Sequence, residues 1–551
     1  MPPAWQACQH GRMTTVESTT SAAANWWYDG VGYEVYIRSF ADGDGDGVGD
    51  LAGITERLEH LAWLGVSVVW ITPFYPSPMH DHGYDVADYV DVDRQFGTLD
   101  DFDRMIAKAH ELGLKVVIDI VPNHSSSEHE WFQQARSSKD SPYRDYYVWR
   151  DPAPDGGPPN NWVSHFGGPA WTLDEATGQY WLHLFLPEQP DLNWRNPKVL
   201  DEFDKILTFW LERGVDGFRI DVAQAMVKHP DFPDLPEATS ETPAFGPQPE
   251  FDKYAHVYDL DQEETKDVFR RWRELVSPYD ALLLGELYIL EHDRFTRYFT
   301  HDDGLHLGFW FKPMHSEWDV DTLRVALEEG ARGTGVSWVL SSHDRSRAAT
   351  RFGGGDLGRA RSLALSTVLM GLPGVPFIYQ GEELGMTDGF VPPEQWADPI
   401  VKRTNDPAYS RDGCRTPMLW EPADGWGFTT SDSPWLPYGD RRPEESVAGQ
   451  QDDPGSYLHR YRALVALRNA DEDLRYGAFG WLTQTGPFLA YQRGNCVVVA
   501  NTADTPETFI LPFGDYQVAF GTDRSREGDI LTAATDLQPA EAMILRITTD
   551  G

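Results

Sequence analysis

The chain has 551 residues, enough for two or three domains, one of them as large as a complete α/β barrel. Its 46 Lys and Arg against 87 Asp and Glu give a formal net charge of −41, which repels phosphate backbones and anionic lipid and so excludes nucleic acid and membrane partners. No run of about 18 apolar residues occurs, and three scattered cysteines, Cys8, Cys414 and Cys496, fit a reducing compartment rather than a disulfide framework. The chain reads as a cytoplasmic globular enzyme, and its 21 Trp suit flat neutral ligands such as sugars.

Residues 1–24 lack the apolar core of a signal peptide and read as a disordered N-terminus. From residue 33 strand-like and helical patterns alternate. A strand at Tyr33–Ile37 precedes a helix at Ile54–Leu64, whose Leu58, Leu61 and Leu64 recur at helical spacing. The strand SVVWI (67–71) follows, then a helix with Phe102, Met105, Ile106 and Ala109 on one face, which Gly113 stops before the strand LKVVIDIV. Residues 125–185 are rich in Trp, Tyr, Pro and Gly without a sustained period, which reads as a subdomain inserted after the third strand.

The alternation resumes with a helix around Phe203, Ile206, Leu207 and Trp210 and the strand in VDGFRIDV. Later strands are ALLLG, LHLGFWF, VSWVLS and VPFIY, with helices at 265–276, 293–299, 321–330, 359–370 and 455–470. Eight strands and eight helices predict a (β/α)8 TIM barrel over 25–124 and 186–474. Beyond 475 the helical period ends, and FLAYQR, CVVVAN, ETFILP, YQVAF and AMILRI between turns predict a C-terminal antiparallel β domain over 475–551.

Four segments on this frame carry chemistry: DIVPNH (119–124), GFRIDV (217–222), GEL (285–287) and SSHD (341–344). They place Asp221, Glu286 and Asp344 at strand exits, where barrel enzymes hold their reacting groups. A single acid there is more often a helix cap or an ion-pair partner. Three of them supply what cleavage of an acetal needs, a carboxylate to attack the anomeric carbon and a carboxyl to protonate the leaving oxygen. Arg219 lies two residues before Asp221 and therefore on the same side of its strand, placed to hold that carboxylate ionised. Farther upstream, DGDGDGVGD (42–50) sets Asp42, Asp44, Asp46 and Asp50, with the Val48 carbonyl, at the alternating spacing of oxygen ligands in an EF-hand-like loop. Gly47 supplies the turn, although position twelve is Gly53 rather than Glu.

In this order the four segments resemble those of the α-amylase superfamily, glycoside hydrolase family 13. DHGYDVADY (81–89) and QPDLNW (189–194) narrow the resemblance to its α-glucosidase and oligo-1,6-glucosidase branch, from Trp26 to the C-terminal β domain. The resemblance implies Asp221 as nucleophile, Glu286 as general acid/base and Asp344 as the third carboxylate that grips sugar hydroxyls in the transition state. It implies His124 and His343 as hydrogen-bond donors to the same sugar. Asp81, Tyr84 and Arg411 become the set that closes the pocket behind one glucose. Phe166 is a stacking surface and Gln189 a weaker contact. The acidic loop becomes a structural Ca2+ or Mg2+ site, with no organic cofactor.

The implied activity is a retaining, exo-acting α-glucosidase on small neutral α-glucosides, with transglucosylation as a companion reaction. Val222, after the nucleophile, goes with α-1,6 preference in this family, whereas Leu287-Tyr288-Ile289 and Gln224 follow neither linkage pattern. Two rivals use the same fold. A trehalose synthase or sucrose-acting enzyme would share the reacting residues and differ in excluding water. A transporter heavy chain would be a non-catalytic partner, but would carry a membrane anchor and broken motifs, neither of which occurs here.

Overall fold

The computed structural model describes residues 25–240, 242, 250–299, 303–482 and 486–548, so the expected disordered N-terminus lies outside the described residues. The chain first lays down β1 (Gly32–Val35), β2 (Val68–Ile71) and β3 (Lys115–Ile120). An excursion then carries β4 (Trp149–Arg150), β5 (Trp171–Asp174) and β6 (Gln179–Leu182), paired antiparallel in the order β4-β6-β5. The barrel continues through β7 (Gly217–Ile220), β8 (Leu282–Gly285), β9 (Leu307–Trp310), β10 (Val336–Trp338) and β11 (Val375–Tyr379), and β11 pairs in parallel with β1 to close eight strands.

Alternation along each strand sorts its residues into two cores. Val68, Trp70, Val117, Leu282, Leu284, Leu307, Phe309, Val375 and Phe377 pack together inside the barrel. Val69, Ile71, Val116, Ile118, Phe218, Ile220 and Leu283 face the surrounding helices instead. Burying each such side chain contributes about 1.5–3 kcal/mol, so a register slip that turned either set to the other face would be costly. The inward parity fixes the polar positions too: Asp119 continues Val117, and Glu286 continues Leu282 and Leu284. Gly32 leaves room for the interior Phe377, whose ring lies 2.4 Å from where a Cβ would stand.

Helix ends follow the expected chemistry. The helix Leu99–Glu111 starts on a Thr98–Asp101 capping box, and Gly113, at φ 77°, turns the chain into β3. Two of the boundaries that differ from the sequence reading have a local cause. The first strand stops at Val35, because Ile37–Phe40 winds into one helical turn on a Ser39 N–H bond to Tyr36 O of 2.9 Å. The helix expected from Ile54 begins at Leu51, because the Asp50 carboxylate accepts the Gly53 N–H at 2.6 Å and caps it.

The aperiodic insertion also contains a helix, Glu130–Ser137, in addition to its sheet. At the other end, β12 (Phe479–Trp481), β13 (Phe488–Arg493), β14 (Cys496–Asn501), β15 (Glu507–Gly521), β16 (Ile530–Leu537) and β17 (Ala542–Ile547) form an antiparallel sheet ordered β12-β13-β14-β17-β15-β16. The runs ETFILP and YQVAF, read as two strands, are one strand whose register shifts between Ile510 and Asp515. Tyr491 ties this sheet to the barrel by donating to Val368 O at 2.5 Å. No helix among the described residues is long and apolar enough to cross a membrane.

Candidate active site

One guanidinium organises the exits of three neighbouring strands. Arg219 on β7 stands in register with Asp119 on β3, and its Nη1 donates to both Asp119 oxygens at 2.9 and 3.0 Å. The same nitrogen donates to Asp221 Oδ1 at 2.7 Å, while Nη2 lies 2.8 Å from Glu286 Oε2. The barrel ladder delivers both acids: Asp221 N–H donates to Ile120 O and Glu286 N–H to Ile220 O, each at 2.9 Å. Burial works against the Arg219 charge, but Asp119 and Glu286 outweigh it and keep its pKa raised. Burial pushes Asp119 up to about 6 and raises Asp221, in both cases against the pull of Arg219. Three carboxylates share one guanidinium, which leaves excess negative charge in the site.

Val222, next to Asp221, is left-handed at φ 42° and ψ 48°, an uncommon conformation for a β-branched residue. It aims its backbone N–H at Glu286 Oε2, 2.9 Å away. The chain therefore binds the second carboxyl through the residue that follows the first.

His343 and Asp344 come from the exit of β10. His343 Nδ1 donates to Glu34 Oε1 at 2.6 Å, and its Nε2 lies 2.9 Å from Tyr84 Oη. The Tyr84 ring stacks on His343 at 5.4 Å, and its hydroxyl lies 3.1 Å from Asp119 Oδ2. Asp344 accepts from Arg411 Nη1 at 3.0 Å and Arg415 Nη2 at 2.8 Å. Burial opposes its ionisation, but the His343 ring and these two guanidiniums outweigh burial and hold its carboxyl well below the usual range.

Arg411 closes the far side. Its Nη2 donates to Asp81 Oδ1 at 3.1 Å, and Asp398 clamps it through Nε and Nη2 at 2.9 Å each and through its own N–H at 2.7 Å. Gln189 donates to Asp81 Oδ2 at 3.3 Å and accepts the Leu186 N–H, so it both orients Asp81 and satisfies its loop. His124 Nε2 donates to Tyr84 O at 3.0 Å, and Asn123 donates to its Nδ1 at 3.1 Å; burial lowers this ring to about 4, so it is neutral near pH 7. Phe166 lies under the Arg411 guanidinium at 5.1 Å. Asp81, Tyr84, His124, Phe166, Gln189, Asp221, Glu286, Asp344 and Arg411 line one cavity of about 380 Å³, with Arg219 behind its wall.

Sequence reasoning missed part of this network. Asp119 lies within DIVPNH, and an acid amid β-branched residues on a strand was its signal. Glu34 gave a weaker one, a buried acid inside the short strand GYEV. Asp398 gave none, because a short loop and helix some fifty residues after Asp344 bring it to Arg411. Arg415 shares Asp344 with Arg411 rather than competing with it for a partner.

The acidic loop after β1 gathers one oxygen from each of Asp42, Asp44 and Asp50 within 4.8 Å of one another. Gly45 and Gly47 N–H groups fix Asp42 at 2.6 and 2.8 Å, and Trp435 N–H holds the loop at Gly47 O at 2.9 Å. Asp46 stays outside the cluster and accepts the Val48 N–H at 2.8 Å. Hard oxygens converging on a rigid turn fit a divalent cation such as Ca2+ or Mg2+.

An all-parallel eight-stranded barrel with carboxylates converging at its strand exits in a sugar-sized cavity defines a glycoside hydrolase of the barrel class. Residues 34–477 match the alpha amylase catalytic domain, and the chain belongs to that family, glycoside hydrolase family 13. A probable alpha-glucosidase of Rhizobium meliloti is 40% identical over 519 residues, covering 91% of this chain and 94% of the relative. An oligo-1,6-glucosidase of Heyndrickxia coagulans is 36% identical, covering 90% and 95%. The crystal structure of an alpha-glucosyl transfer enzyme superposes with a TM-score of 0.89 at 36% identity, over 95% of this chain and 100% of the other.

Proposed function

We propose that the protein is a retaining, exo-acting α-glucosidase that hydrolyses terminal α-1,4 or α-1,6 bonds of short oligosaccharides. The observation that carries this reading is the shared Arg219 guanidinium, which sets Asp221 and Glu286 side by side at the mouths of adjacent strands. Asp221 attacks the anomeric carbon as the Glu286 carboxyl protonates the departing oxygen, which leaves a β-glucosyl ester on Asp221. Glu286, now a carboxylate, takes a proton from water, and that water opens the ester with net retention. Asp344, held ionised by Arg411 and Arg415, accepts hydroxyls of the distorted ring. His124, His343 and Tyr84 complete the glucose site, with Phe166 and Gln189 on its wall. The Asp81–Arg411 bridge ends the site behind one glucose and makes the action exo.

Asp42, Asp44 and Asp50 are proposed to hold a structural Ca2+ or Mg2+ that stiffens the loop after β1, apart from the chemistry, without the Asp46 ligand that the spacing led one to expect. The lack of a disulfide pattern supports a cytoplasmic site of action. The closed barrel and the separate six-stranded sheet support dividing the chain into a barrel over 25–124 and 186–474, an inserted subdomain over 125–185 and a β domain over 475–551.

The test is NMR of the first glucose released from an aryl α-glucoside, where all the glucose formed comes from the glucosyl ester. The α-anomer is expected, and initial β-glucose would refute the double displacement. The likeness to an alpha-glucosyl transfer enzyme favours glucosyl transfer as a second reading. New oligosaccharides formed from maltose and carrying the transferred glucosyl unit, with free glucose no greater than the leaving group released, would establish transfer in place of hydrolysis.

A further inference from the structure

Three arginines around the glucose site are matched by acid. Arg219, Arg411 and Arg415 each have a carboxylate oxygen within 3.1 Å. Two other arginines, Arg345 and Arg351, line the same cavity without that match. Neither has a carboxylate within 4.0 Å among the described residues, in a chain whose acids outnumber its bases 87 to 46. Arg351 donates to Ser346 O at 2.5 Å and Leu340 O at 2.8 Å, and its buried Nε has no partner. Arg345 donates to His315 Nδ1 at 2.7 Å.

These contacts place the charge on the leaving-group side. Glu286 must touch the departing oxygen, and Tyr288, two residues on, borders both the catalytic cavity and an adjoining one of about 210 Å³. Tyr288 Oη lies 3.0 Å from His315 Nε2, so Arg345, His315 and Tyr288 form one linked wall. Burial and the two guanidiniums push His315 down to about 3, so it is neutral and adds no charge. Its Nδ1 faces a guanidinium donor, so its proton sits on Nε2 and points to Tyr288 Oη. The His315 contact spends one Arg345 nitrogen on positioning and leaves the guanidinium charge uncompensated beside the exit path.

We propose that this wall recognises a leaving group that carries an anion, a carboxylate or a phosphate, on the sugar or polyol released from glucose, with Arg345 as its main contact. The inference rests on the α-glucosidase reading and narrows its substrate class. The anion is carried unchanged, since the only bond broken is the glycosidic one.

The test compares glucosides that differ only in charge: maltitol with maltobionate, the isomaltose-derived pair for an α-1,6 enzyme, and maltose with maltose phosphorylated at C6 of its reducing-end glucose. The expected kcat/KM ratio of charged to neutral substrate is about tenfold or more, as for a charge-assisted guanidinium contact. The ratio should collapse toward one in Arg345→Gln and survive in part in Arg345→Lys. A carboxylate-only or phosphate-only preference would identify the source of the anion and support the proposal. Ratios at or below one for both anions in the unaltered enzyme would overturn it while maltitol cleavage leaves the α-glucosidase reading standing. Failure to cleave every glucoside would overturn both.

Discussion

The backbone N–H of Val222 donates to Glu286 Oε2 at 2.9 Å, so the residue after the proposed nucleophile holds the proposed acid/base. Holding that bond requires a left-handed valine at φ 42°, and the Val222 side chain faces the cavity where the leaving group departs. Val222→Thr keeps the β-branched shape and the N–H bond but adds a hydroxyl to that wall. Its rate on an aryl α-glucoside should stay within about tenfold of the parent, while the ratio of isomaltose to maltose cleavage shifts by about 1 kcal/mol or more, roughly fivefold. Steady-state kinetics on the three substrates checks both statements.

Asp221→Ala and Glu286→Ala should each lower kcat on maltose by several orders of magnitude. The two should differ on an activated aryl glucoside, whose leaving group needs little protonation. Glu286→Ala should still form the glucosyl ester there, and Asp221→Ala should not. Mass spectrometry of the quenched enzyme distinguishes them, and an adduct on the Asp221→Ala protein would refute its role as nucleophile.

Asp119→Asn removes the carboxylate that faces Arg219 across two strands. Breaking a buried pair costs about 3–5 kcal/mol, and the remaining Asp221 and Glu286 contacts place this variant near the lower end. Denaturant unfolding reads the loss. A variant as stable as the parent would show that Arg219 is satisfied by the cavity acids alone.

Asp398 makes stability fall in acid. Burial opposes its charge, but the Arg411 guanidinium outweighs burial and holds the carboxyl well below its ordinary value of about 3.9. The stabilisation is fully present above the unfolded-state pKa and is lost as pH falls below it toward the depressed folded value. Asp398→Asn should therefore destabilise the protein at pH 7 and lose that disadvantage progressively below pH ~4. Melting curves of both proteins across this range test it, and parallel curves would exclude the linkage.

Chelation should destabilise the loop of Asp42, Asp44 and Asp50. A cation present at about a hundred times its Kd adds about 2.7 kcal/mol, which for a chain of this size is a Tm shift of about 2–3 °C. Asp44→Asn should make the melt insensitive to EDTA. An EDTA-invariant melt of a metal-loaded parent would remove the site.

The sequence by itself determined the barrel, because eight apolar runs at strand length, each followed by a helical period, leave few ways to bury both faces of a parallel sheet. It also determined which acids stand at strand exits, since parity along a strand is local: Arg219 and Asp221 share a face wherever the strand goes. Helix Glu130–Ser137 escaped it because two turns flanked by loop residues show no sustained period. Tertiary structure alone decided the pairings between strands. Register set Asp119 against Arg219, a loop brought Asp398 to Arg411 from outside every motif, and the left-handed turn at Val222 tied Glu286 to the strand beside it. Such contacts join residues 13 to 100 positions apart, and they are strong because the barrel has already removed the water that would weaken them.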